Sequence, residues 1–177
     1  MHAGELAKYV EDVPDFPEPG IIFRDISPLL RQRPYGAIEA MLDLFTAEER
    51  DALSAFVGLD ARGFIFAPAM AALSGKGFVM ARKGGKLPEP LFSTRYALEY
   101  GTAELAVKPG EGKVVIVDDV LATGGTLEAA ADLCGQAGYE VTGFATLINL
   151  TFLNNFEWNG IRPRSVLHYD ENGLING

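Results

Sequence analysis

Residues Lys113 to Thr126 read KVVIVDDVLATGGT, and the way that stretch divides decides the fold. Its first part, Lys113 to Val117, is a short apolar run rich in β-branched residues, the pattern of a strand buried on both faces. Two adjacent carboxylates, Asp118 and Asp119, follow. A glycine-containing loop with Thr123 and Thr126 then opens a helix-like stretch from Thr126 to Gln136, which Gly138 ends. Working outward, Ala55 to Leu59, Gly77 to Met80 and Val141 to Ile148 have the same strand character. Phe64 to Leu73 reads as a second helix, with Pro68 implying a late start or a bend. Strands alternating with helices predict an α/β fold, a central and mainly parallel sheet flanked by helices. Ligands are then expected where loops leave the carboxyl ends of strands.

Toward the N-terminus, Leu6, Tyr9, Val10 and Val13 recur at helical spacing before Pro14, Pro17, Pro19 and Gly20 stop any helix, so a short helix feeding an irregular loop is expected. Ile38, Met41, Leu42 and Phe45 form a second helical stripe that begins near Pro34. Thr46 and Glu49 have capping-box spacing and open a further turn. Between Phe92 and Lys108 the period changes to alternation, with Gly101 and Thr102 at the turn, which predicts a two-stranded hairpin or hood.

The chain has 177 residues, 48% of them hydrophobic and 22% charged. A core of that size buries roughly 70% of the unfolded surface, so one domain over 1–177 is expected without metal or disulfide staples. A net charge of −9 argues against nucleic acid or an anionic membrane as partner. Any anionic ligand must therefore meet a local basic cluster. The single cysteine, Cys134, and the two distant histidines, His2 and His168, build no zinc site and no disulfide. The first twenty residues lack a signal-peptide pattern, and the apolar runs fall short of the roughly 18 to 20 residues that span a bilayer, so a cytoplasmic location is expected.

The chemistry of the opening stretch follows from its parts. Gly124 and Gly125 let backbone approach a ligand closely, Thr123 and Thr126 offer hydroxyls, and a helix start directs unpaired N–H groups outward, so a phosphate fits there. Asp118 and Asp119 would repel that phosphate directly. Their partners are sugar hydroxyls or the hydrated sphere of a divalent cation. The loop is not a Walker A motif, because Thr126 follows Gly125 with no lysine. Either residue pair alone could be a plain strand-to-helix turn; the whole run in order is much harder to read so.

VVIVDD followed by ATGGT resembles the phosphoribosyl-pyrophosphate signature of the type I phosphoribosyltransferases. DFPEPGIIFRDISPLL, GLDARGFIFAPAMA, ARKGGKLPEP and LEYGTAEL, in that order, resemble its adenine-specific branch. The resemblance implies a type I phosphoribosyltransferase-like fold with a β-hairpin hood over the active site. Residues 1–33 would form an N-terminal helix and a base-binding hood segment, and 83–108 a flexible loop and hairpin. It further implies Mg²⁺-dependent transfer of a 5-phosphoribosyl group from phosphoribosyl pyrophosphate to N9 of adenine, giving AMP and pyrophosphate in purine salvage, by a homodimer. Another base, or a non-catalytic phosphoribosyl-pyrophosphate or nucleotide sensor, are the competing readings.

Carried over position by position, the resemblance gives Ala122, Thr123, Gly124, Gly125 and Thr126 the 5-phosphate, and Asp118 and Asp119 the ribose hydroxyls and the positive charge that develops at the sugar. Arg62 would hold pyrophosphate, next to an Asp60–Ala61 peptide that the family often strains. Taken alone, an arginine at a strand end is more often a surface ion pair. Arg82, Lys83 and Lys86 supply the basic cluster, some of it shared across a dimer. Glu99 would assist the base as a catalytic carboxyl group, and Tyr100 would help close the hood. Backbone groups of Ile22 and Arg24, with Phe23 and Val120 packed alongside, would recognise adenine. No protein metal site is implied, since Mg²⁺ would be held mainly by phosphoribosyl pyrophosphate and water. The chain departs from the family pattern at Asn149, where an acidic residue is common, and through TFLNNFEWNGIRPRS after it. That departure is expected to affect C-terminal packing and to leave the phosphate loop untouched.

Overall fold

In the computed structural model of the chain, residues 3–98 and 101–176 are described. The N-terminal segment forms α1 (Ala3–Ala7), β1 (Glu11–Pro14) and β2 (Ile22–Asp25). The expected helix therefore ends early, and Val13, read at helical spacing, lies in a strand paired with Phe23. The four-residue strands of that separate antiparallel ribbon sit in a proline-rich stretch too short to show alternation. Next come α2 (Ser27–Gln32), α3 (Pro34–Leu42) and α4 (Ala47–Ala52). The capping box at the start of α4 is complete: the Glu49 N–H donates to Thr46 Oγ1 at 3.2 Å, and the Thr46 N–H to Glu49 Oε2 at 2.7 Å.

The remaining elements are β3 (Ala55–Leu59), α5 (Gly63–Ser74), β4 (Gly77–Lys83), β5 (Phe92–Leu98), β6 (Gly101–Val107), β7 (Gly112–Leu121), α6 (Gly125–Gln136), β8 (Tyr139–Leu150), β9 (Arg164–Asp170) and β10 (Gly173–Asn176). Eight strands form one sheet in the order β10-β9-β8-β7-β3-β4-β6-β5. The pairs from β9 through β4 are parallel, while β10 at one edge and the β5–β6 hairpin at the other are antiparallel. The hairpin is thus not a free flap. It continues the sheet, through Arg82 opposite Ala106 and Lys83 opposite Leu105. Gly101 and Thr102, read at its turn, lie in β6 opposite Leu98 and Ala97.

The central strands are apolar on both faces, as the runs required. Along β3 and β7, Phe56, Val115 and Val117 join a core with Leu29, Met41, Phe66 and Met70 beneath α2, α3 and α5. Val57, Leu59, Val114 and Ile116 join a second core with Leu127, Leu133 and Phe144 beneath α6. Cys134 is packed in that second core, where burial pushes its thiol up to about 12. Among the described residues no helix is long and apolar enough to cross a membrane. Two helix–strand layers around parallel strands leave the β3, β4 and β7 carboxyl ends free to build a site.

Candidate active site

The strand β7 runs four residues further than its apolar core, so Asp118 and Asp119 are still held in the sheet, opposite β8. The chain then turns through Ala122, Thr123 and Gly124 into α6. Gly124 is its N-cap, at φ +95°, a left-handed conformation that side-chain-bearing residues rarely adopt. Among the described residues no side chain caps this helix, so its first N–H groups can face an anion. Around this turn lies an open cleft of about 730 Å³. Asp60, Ala61 and Arg62 line it from the end of β3, and Lys83 and Gly84 from the end of β4. The hairpin adds Tyr96, Thr102, Ala103 and Glu104, and β7 and its loop add Asp118 through Gly124 with Thr126 and Leu127.

Opposite charges are interleaved across the cleft. Arg62 Nε lies 2.9 Å from Asp119 Oδ2, an ion pair whose carboxylate is buried and whose arginine is half exposed. Asp118 is pushed up to about 8, first by burial and then by its neighbour's negative charge. Asp119 is also raised, again by burial, with Arg62 opposing the shift. The two adjacent acids titrate as a pair, and one proton stays on them well above the ordinary carboxylate range. On the opposite wall the buried Asp60 carboxylate pairs with two side chains of the basic cluster, Arg82 and Lys86, and takes the third residue by its backbone. Its Oδ2 accepts from the Lys83 N–H at 3.3 Å and lies 3.4 Å from Arg82 Nε and 3.9 Å from Lys86 Nζ. The Asp60–Ala61 peptide beside it is cis.

Of the residues singled out in the sequence, Arg62, Lys83, Asp118, Asp119, Val120, Ala122, Thr123, Gly124 and Thr126 meet in this cleft. Gly125 is the first residue of α6. Arg82 and Lys86 reach the cleft wall only through Asp60. Ile22, Phe23 and Arg24 lie on β2 outside the cleft lining, linked to it by the Arg62 guanidinium, 5.8 Å from the Phe23 ring centroid. The Arg24 side chain turns away from a ligand role: it is buried, ion-paired to Asp12 and stacked 4.4 Å over the Tyr169 ring. Glu99 and Tyr100 lie outside the described residues. Among those described, no group of three or more His, Cys, Asp or Glu converges on one point. A paired carboxylate without a cage suits a divalent ion that keeps most of its water.

Sequence reading missed Asp60, Tyr96, Thr102 and Glu104. Asp60 was findable, being a carboxylate at the carboxyl end of a buried strand two residues before Arg62. The hairpin is expected over the site, but its alternation does not say which residues face it; the β4–β6 pairing brings Tyr96, Thr102 and Glu104 to the cleft. The departing C-terminal segment requires a correction, since it does touch the phosphate loop. Asn154 Nδ2 donates to the Ala122 carbonyl at 2.7 Å, and a Cβ at position 124 would stand 2.6 Å from the Phe156 ring. Phe156 and Trp158 pack edge-on against Phe144, and Trp158 Nε1 donates to Asp132 on α6 at 2.8 Å.

The chain is similar to known proteins over most of its length. Residues 37–152 match the phosphoribosyl transferase domain family. The adenine phosphoribosyltransferase of Hydrogenovibrio crunogenus is 52% identical over 97% of this chain and 100% of its own length. Among solved structures, adenine phosphoribosyltransferase from Thermoanaerobacter pseudethanolicus superposes with a TM-score of 0.82 at 35% identity, covering 94% of this chain and 99% of its own. The enzyme from Saccharomyces cerevisiae, complexed with an imino-altritol bisphosphate and adenine, gives 0.77 at 33% identity over 92% and 96%.

Proposed function

The chain belongs to the adenine phosphoribosyltransferases, and from that premise we propose how its cleft carries out the reaction. The activity is transfer of the 5-phosphoribosyl group from phosphoribosyl pyrophosphate to N9 of adenine, forming AMP and releasing pyrophosphate. The observation that carries the assignment of roles is the meeting, in one cleft, of an uncapped helix start, the Asp118–Asp119 pair with Asp119 buried, and Arg62. The backbone from Ala122 to Gly125, with the Thr123 and Thr126 hydroxyls, seats the 5-phosphate against the first turn of α6. Asp118 and Asp119 face the ribose hydroxyls, and in ionised form they stabilise positive charge as the bond to pyrophosphate lengthens. Arg62 exchanges its contact with Asp119 for pyrophosphate oxygens, to which its planar fork is matched. Lys83 lines the same end of the cleft, with Arg82 and Lys86 behind it on Asp60.

For the base we assign the edge of β2. Ile22 and Arg24 are two apart on one strand, so their backbone groups turn to the same side and can present an acceptor and a donor to one ligand edge. Phe23 and Val120 supply apolar packing. That pattern suits the 6-amino group and N1 of adenine and mismatches a 6-oxo purine. The role of Glu99, hydrogen bonding or protonating adenine at N7, and of Tyr100 in closing the hood, rests on the LEYG motif. Mg²⁺, when bound, neutralises charge on the pyrophosphate; Asp118 and Asp119 would face its water shell. Ile65 on α5 with Phe78 and Met80 on β4 stay exposed and apolar, which supports a homodimer. The lone buried thiol and the reaction's phosphorylated substrates support a cytoplasmic location.

The test is product formation from phosphoribosyl pyrophosphate and Mg²⁺ with adenine, hypoxanthine, guanine, xanthine, uracil or orotate in separate reactions. AMP from adenine and no comparable turnover of the other bases is expected. Comparable turnover of hypoxanthine or guanine would overturn the base assignment. Binding of phosphoribosyl pyrophosphate without product from any base would make the protein a sensor.

A further inference from the structure

We propose that Asn154, with Phe156 behind it, is a positioning residue for the 5-phosphate: it sets the direction in which the loop's backbone N–H groups point. The inference rests on the reading of residues 122–125 as the phosphate seat. The Ala122 carbonyl is held from below by Asn154 Nδ2 at 2.7 Å. In a planar trans peptide the carbonyl and the following N–H point in opposite directions. Fixing the Ala122 oxygen on Asn154 therefore aims the Thr123 N–H away from it, toward the cleft that Thr123 lines.

The side chain that does this is itself fixed from several sides. The second hydrogen of the same Nδ2 is shared between the Leu150 carbonyl at 3.0 Å and Asn149 Oδ1 at 3.1 Å, both at the end of β8, while Asn154 Oδ1 accepts the Phe156 N–H at 3.2 Å. Two backbone carbonyls on one end and an N–H on the other leave the amide a single orientation. The loop is thus tied to a long strand of the central sheet by a residue 32 positions further along the chain. Phe156 completes the floor. Its ring lies under Gly124 so closely that no side chain could be added there, and Phe144 of the core holds it at 5.2 Å between ring centroids. Backbone that donates to a phosphate must be held before the ligand arrives, otherwise binding has to order it.

Asn154→Asp keeps the shape and turns a donor into a carboxylate facing two carbonyl oxygens; Asn154→Ala simply frees the loop and covers the case in which the first variant does not fold. Calorimetric titration with ribose 5-phosphate and, separately, with pyrophosphate divides the two ends of the site. Wild type should bind both. Each variant should bind ribose 5-phosphate about tenfold more weakly, as expected for loss of a part-buried hydrogen bond that fixes the loop backbone. The KM for phosphoribosyl pyrophosphate should rise in step, with pyrophosphate binding and the KM for adenine unchanged. Ribose 5-phosphate binding equal to wild type in a folded variant would overturn the proposal, as would equal weakening of ribose 5-phosphate and pyrophosphate, which would mark a general loss of structure. Failure of the wild type to bind ribose 5-phosphate would instead overturn the reading of the loop itself.

Discussion

Asp118 is held beside a second carboxylate in a partly buried site, and its ionisation works against the fold in a definite pH window. Its pKa is raised from 3.8 to about 8 in the folded chain, so the protonated form is the one the fold prefers. Below pH 4 the group is protonated folded or unfolded and contributes nothing. As pH rises from 4 toward 8 the unfolded chain releases the proton first, and stability falls. Asp118→Asn cannot ionise, so it should unfold at a higher temperature than wild type at pH 8, with the difference closing toward pH 4. Thermal scans across that range would decide it, and a pH-independent difference would place the effect elsewhere. The same substitution, alone or with Asp119→Asn, should sharply reduce transfer, since the carboxylates proposed to stabilise the sugar are then gone; wild-type turnover would refute that role. Stability given up at a reacting centre is a common exchange.

At the scale of elements, α4 is tied to β9 by one carboxylate. Glu49 accepts the N–H of Thr46 and also takes Arg164 in a fork, at 2.8 Å from one terminal nitrogen and 2.6 Å from the other, and Arg164 caps the Leu44 carbonyl as well. These bonds, Arg164 first, hold Glu49 at about 2, well below its usual 4.5. The lowered pKa stabilises the fold above pH 4.5, and the contribution is lost as pH falls toward 2. Both side chains are partly solvated, so Glu49→Gln should lose about 1 kcal/mol at pH 7 after screening, measured by denaturant unfolding, with no loss near pH 2. The capping box was legible because Thr46 and Glu49 are three residues apart; Arg164 was not, because nothing local marks a partner 115 positions away. The same contrast runs through the fold. β3 was readable to the residue, since a strand buried on both faces must be apolar throughout, whereas β1, β2 and β10 are short and antiparallel, and β9 mixes Arg164, Ser165 and His168 with its apolar residues. The glycine loop between β7 and α6 was legible as one contiguous motif. Its floor, Asn154 and Phe156, comes from a stretch that departs from the family pattern and carries no motif, so only C-terminal packing is expected of it.

At the scale of the molecule, a chain of net charge −9 must hold together a site for a highly charged anion. It does so by keeping its cations local: Asp60 pairs with Arg82 and Lys86 at one wall and accepts the backbone N–H of Lys83, and Asp119 holds Arg62 at the other. The strand that delivers Lys83 to this wall, β4, also carries Phe78 and Met80, which share one face and stay about 40% exposed, as does Ile65 of α5. Phe78 meets Phe64 edge to face at 5.8 Å between ring centroids and lies against Gly58, yet stays 37% exposed, so that face of β4 is incompletely covered by its own helix. Apolar surface left open at a sheet face is the usual centre of a homodimer contact, ringed by polar residues. Phe78→Glu puts a charge in the middle of this patch, which the proposed dimer would have to bury. On that proposal the wild type should sediment as a dimer at micromolar concentration and the variant as a monomer, with the fold intact by circular dichroism. A dimer that survives the substitution would move the interface off β4, and the basic cluster at that strand's end would then serve only its own chain.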